Sequence, residues 1–180
     1  MSVLTDYFAA GSDGVAATAV DYVDGQPGLL DLTAEDVAAG KALYRLSPDE
    51  AARPRVQTAQ SGTPVVLSKS VDPTSLGRLE AILTGRSYDE VNADPRRAGL
   101  IAPARHEDIE GCIVLSVTDT LRDALASLEP STQPEVARQW ASAEFDATAE
   151  NSLMMFLAAL TDLARRAVVD NDRLYCLVTF

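Results

Sequence analysis

Two cysteines and a single histidine leave little room for the commonest catalytic and metal chemistries. His106 alone cannot build a multi-histidine metal site or an intrachain histidine pair. It stands in Arg105-His106-Glu107-Asp108, where flanking charge reads as a solvated loop. Cys112 and Cys176 lie in the apolar runs Cys112-Ile113-Val114-Leu115 and Leu174-Tyr175-Cys176-Leu177-Val178. Cysteine there behaves as a small hydrophobe, so Cys176 reads as a buried strand residue and not as a nucleophile. The chain also lacks CxxC, GxSxG, GxxxxGK[ST] and GxGxxG patterns, so no catalytic, cofactor-binding or metal-binding residue is marked by motif. Its 27 acids allow some carboxylate pair in space, but nothing in their spacing singles one out. No stretch approaches the roughly 18 apolar residues of a membrane span. Met1-Ser2-Val3-Leu4-Thr5-Asp6 has neither the basic start nor the apolar run of a signal peptide. The expected compartment is the cytoplasm.

Positive charge is scarce as well. Lysine occurs only at Lys41 and Lys69, and 15 basic residues face 27 acidic ones for a net charge of −12. Duplex nucleic acid and anionic membranes both call for clustered Lys and Arg, so neither is an expected partner. The acids are spread evenly along the chain. Such a surface keeps a protein soluble and steers it toward a basic protein partner. With 47% hydrophobic and 23% charged residues, the composition is that of a globular chain able to bury a core.

The periodicity predicts one α+β domain over residues 1–180, a small mixed sheet packed with amphipathic helices. Strands are expected near 4–10, 64–68, 112–117 and 174–179. Ser12 and Asp13 cap a first helix carrying Val15, Val20 and Tyr22. A second starts at Thr33, and Ser47-Pro48 opens a short third. The segment from Arg53 to Thr63 reads as a surface loop. Asp72-Pro73 opens a helix with Leu76, Leu79, Ile82 and Leu83 on one face, ended by Gly85. Residues 86–110 show no regular pattern. Thr118 or Asp119 caps the next helix, and Pro134 starts one bearing Val136 and Trp140. The longest runs from about Ala149 to Val169, with Leu153, Phe156, Leu157, Leu160, Leu163 and Ala167 as one stripe.

Two features stand out as candidate contacts. Arg86, Arg96, Arg97 and Arg105 fall within one irregular stretch, where guanidinium forks can clamp a phosphate or carboxylate or pair with neighbouring acids. Trp140, followed by Phe145 and the acids Asp146 and Glu150, reads either as a core residue or as a partner hot spot.

The run Pro73-Thr74-Ser75-Leu76-Gly77-Arg78-Leu79-Glu80-Ala81-Ile82-Leu83-Thr84-Gly85 resembles the helix closing on a Leu-Leu-Thr-Gly-like end in the YfbM-like family of bacterial proteins. Trp140 before the long helix, Ala164 and Ala167 within it, and Asn171-Asp172 leading to the last strand are similar too. The opening Met1–Ala10 and the Leu83–Val91 region resemble actinobacterial sequences still more closely. The chain departs from the family at the helix start, where Asp72-Pro73-Thr74-Ser75 replaces an acidic-lysine-tryptophan-like stretch. The resemblance implies an α+β fold and brings no activity with it.

The expected function is a non-catalytic protein-binding module of the toxin-immunity or regulatory type. The alternatives are a small-molecule or anion-binding protein or enzyme using the 86–106 arginines, and a structural component of a larger assembly.

Overall fold

Two seven-residue apolar strands lie side by side at the middle of the protein. The computed structural model describes residues 4–17, 19, 56–58, 64–69, 71–103 and 112–179. Strand β1 (Leu4–Ala10) pairs antiparallel along its whole length with the C-terminal strand β6 (Arg173–Thr179), placing Tyr7 opposite Cys176 and Phe8 opposite Tyr175. β1 also pairs with β3 (Pro64–Ser68), which carries β2 (Val56–Thr58) on its outer side. β6 pairs with β5 (Cys112–Ser116), and β5 with β4 (Leu100–Ala102). The order is β2-β3-β1-β6-β5-β4.

The fold is α+β, as expected, and the four expected strands are present. Every pairing between described strands is antiparallel, which corrects the expectation of a mixed sheet. The expected loop over 53–63 contains β2, and the irregular 86–110 stretch contains β4. At three residues each, these edge strands are too short to show an alternating pattern.

Helices α2 (Ser75–Thr84), α4 (Asp119–Ala126), α5 (Gln133–Glu144) and α6 (Glu150–Asp170) pack together on one sheet face. Their starts and stops follow local chemistry. Asp72 Oδ1 accepts hydrogen bonds from the Thr74 and Ser75 N–H groups, so the α2 helix begins slightly later than Asp72-Pro73 suggests. Gly85 ends it in the left-handed region at φ 69°, where a side chain would be strained. Thr118 caps α4 by accepting from Leu121 N–H, and Asn171 closes α6 at φ 57°. The short α3 (Tyr88–Asn92) carries a full Ser87/Glu90 capping box.

The helical face receives Tyr7, Val66, Leu174 and Cys176 from the sheet. Trp140 is fully buried there, 5.7 Å edge-to-face with Phe145 and 6.1 Å from Phe156. Phe8, Val65, Val114, Tyr175 and Leu177 form a second cluster on the opposite face with Ala16 of α1 (Asp13–Ala17). The first helix ends at Ala17. Val20 and Tyr22, the Thr33 and Ser47 helices, Arg105 and His106 lie outside the described residues.

Candidate functional site

The three described arginines of the candidate stretch go to separate partners. Arg86 extends from the end of α2 to Glu80, with Nη1 3.3 Å from Oε1, and its Nη2 donates to the Glu90 carbonyl. Arg97 donates to the carbonyls of Pro73 (2.6 Å) and Thr74 (2.5 Å). Its head lies so close over Gly77 that a Cβ there would come 2.5 Å from Nη2, so the glycine makes room for it. Arg96 points toward the other sheet face, 3.1 Å from Asp13 Oδ1. The structure therefore builds no common clamp from Arg86, Arg96 and Arg97. Trp140 is corrected as a partner contact: it is wholly inside the core, its Nε1 donating to Ser75 O at 3.2 Å.

Two charged centres emerge instead. The first surrounds Glu80, a carboxylate the sequence reading passed over although it is fully buried. Its position four residues after Leu76 and three before Leu83 puts it on the apolar stripe of α2, a signal that was available. Thr118 Oγ1 donates to Glu80 Oε2 at 2.6 Å while accepting from Leu121 N–H, tying α2 to the start of α4. Burial pushes the Glu80 carboxyl above its ordinary pKa, against the lowering influence of Thr118 and Arg86. Beside it a cavity of about 10 Å³, lined by Glu80, Arg97, Ser116 and Thr118 among others, has room for about one water molecule.

The second centre lies where β1 and β5 finish and β6 begins. Asp13 accepts from the Tyr175 hydroxyl at 2.7 Å and from Arg96, which keeps its carboxyl below the usual range. Desolvation, then the Asp13 bond, pushes Tyr175 up to about 12. Asp119 lies between Arg122 (3.5 Å), Arg173 (3.7 Å) and Arg96 (4.0 Å). Arg122 also holds Asp123 at 2.8 Å and donates to the Asp172 carbonyl.

In each centre a hydroxyl donates to a carboxylate, Thr118 to Glu80 and Tyr175 to Asp13. Cys176 is buried and its thiol pushed well up by desolvation, the reverse of an activated cysteine. Among the described residues no group of His, Cys, Asp and Glu is arranged to hold a metal ion. No helix of the described residues is long and apolar enough to cross a membrane. The two centres engage Arg86, Arg96, Arg122 and Arg173 with carboxylates. At least seven of the nine described arginines, Arg78, Arg86, Arg96, Arg122, Arg138, Arg165 and Arg173, pair with acids of the same chain.

No protein-family model, curated protein or solved structure matches the chain.

Proposed function

We propose that this protein is a non-catalytic binding module for a basic protein partner, of the immunity or regulatory type. The observation that carries the reading is the internal use of the arginines. Seventeen carboxylates stand against nine arginines and Lys69 in the described residues, and at least seven of those arginines pair with acids of the same chain. The negative excess of the chain is left for the surface. Such a surface accelerates association with a positively charged protein and disfavours nucleic acid. Placement in the YfbM-like family is likewise our proposal, resting on the residues quoted for it, and it adds no activity.

The anion-site alternative gains no support from Arg86, Arg96 and Arg97, since each is occupied elsewhere. The test is affinity purification of the tagged full chain from its native host at low and high salt. One stoichiometric protein of basic isoelectric point, released as salt rises, is the expected result. Absence of any stoichiometric protein overturns the reading.

A further inference from the structure

The cavity beside Glu80 measures about 10 Å³, space for a single water molecule and for no larger guest. Its polar lining is mixed: the Glu80 carboxylate, the Arg97 side chain and the Ser116 and Thr118 hydroxyls, with Leu76 and Leu121 among the apolar walls. Each polar group keeps bonding capacity. Glu80 takes one hydrogen bond on each oxygen, from Arg86 on Oε1 and from Thr118 on Oε2. Each of those oxygens has a second lone pair. Ser116 Oγ donates to the Arg96 carbonyl at 2.8 Å and is still able to accept. Arg97 spends Nη1 and Nη2 on the Pro73 and Thr74 carbonyls. Its Nε is buried and has no hydrogen-bond partner among the described residues. Leaving a buried donor unpaired is costly, and ordered water is the usual remedy.

We propose that this cavity is a binding site for one ordered water molecule, which donates to Glu80 and accepts from Arg97. The lining selects the guest. A metal cation would lie against the guanidinium and a halide against the buried carboxylate, so each would bury charge beside like charge. A neutral molecule that both donates and accepts suits both sides, and at this volume that molecule is water. Bound there, the water ties the turn carrying Arg97 and Ala98 to α2 and to the end of β5. The turn has need of such a tie: Ala98 stands at φ 51°, a left-handed conformation that alanine rarely adopts.

A crystal structure of the full chain at a resolution that places waters is the direct test. Expected is one ordered water about 3 Å from an oxygen of Glu80 and from a nitrogen of Arg97. A cavity without solvent density, an ion in it, or a water bonded to only one of the two charged groups overturns the proposal. In solution, the isotopically labelled chain is expected to show cross-relaxation from water to the amides of Ala98, Val117 and Thr118, with the sign of a long-lived water. Ser116→Thr keeps both hydroxyls and adds a methyl group at the cavity wall, and there these cross-peaks are expected to vanish while other amides are unchanged. Cross-peaks that persist in Ser116→Thr come from hydroxyl exchange and count against the water. If that variant does not fold, the crystal structure decides alone.

Discussion

The two faces of the sheet each bury a carboxyl group, and they treat it in opposite ways. On the helical side Glu80 is enclosed with Thr118, Arg86 and Arg97 around it, so its burial is compensated by a short hydrogen bond and nearby positive charge. On the other side Asp6, in the central strand, lies between Leu67 and Leu177 of the adjoining strands. Its Oδ1 is buried and has no hydrogen-bond partner among the described residues. Desolvation alone raises its pKa to about 7. A partnered buried acid acts as a tie between elements. An unpartnered one becomes a titrating group within the pH range in which proteins work.

Replacing the largest buried side chain breaks the helical face most. Trp140→Ala is expected to cost about 4 kcal/mol in chemical denaturation, through the cavity and the lost Phe145 and Phe156 contacts. Glu80→Leu comes next at about 3 kcal/mol, because Thr118 and Arg86 lose their acceptor within a nearly closed environment. Glu80→Gln keeps the Thr118 bond and costs about 1 kcal/mol. If Leu and Gln were equivalent, the contrast between partnered and unpartnered acids would fail.

Asp6 responds in the opposite direction, and its sign follows from proton linkage. Between its unfolded value of 3.8 and about 7, the folded state holds a proton that the unfolded chain releases. Stability therefore falls as pH rises through that window, and above it the folded protein carries a buried carboxylate. Asp6→Asn is expected to stabilise by about 2 kcal/mol at pH 8, below the ~4 kcal/mol ceiling set by ~1.4 kcal/mol per pH unit. The gain disappears at pH 4. Parallel urea melts of the two proteins at both values check it, and an equal difference at pH 4 and pH 8 would exclude a titrating Asp6.

The smallest effect belongs to the half-exposed cluster at the end of the sheet. Asp13→Asn is expected to change stability by under about 1 kcal/mol, because solvent screens its pairs with Arg96 and Arg173. It removes the carboxylate beside the Tyr175 hydroxyl, so that tyrosine titrates below its present value of about 12. Ultraviolet difference absorbance against pH follows this directly.

Much of the framework was legible because its causes are local. Thr118, Gly85 and Asn171 bound helices through bonds to groups a few residues away. The apolar runs of β1, β5 and β6 could only be buried strands. The capping box Ser87-Tyr88-Asp89-Glu90 is equally local, yet it was passed over when 86–110 was read as irregular, because α3 is too short to show periodicity. Glu80 was detectable from its place on the α2 stripe. Asp6 carried no comparable mark, since a lone acid in an apolar strand does not reveal which face it occupies or what lies opposite.

By itself, then, the sequence determined the α+β class, the ends of α2, α4 and α6 to within a few residues, the central strands and a surface biased toward negative charge. These depend on spacing, propensity and composition, which act over a turn or a strand. Only the tertiary structure decided the strand order, the burial of Trp140 and the destination of each arginine. The bonds responsible join Thr118 to Glu80 across 38 residues, Arg96 to Asp13 across 83 and Tyr175 to Asp13 across 162. At those separations the choice of partner is made by how whole elements pack, because a guanidinium has many carboxylates of equal intrinsic affinity and takes the one the fold brings within reach.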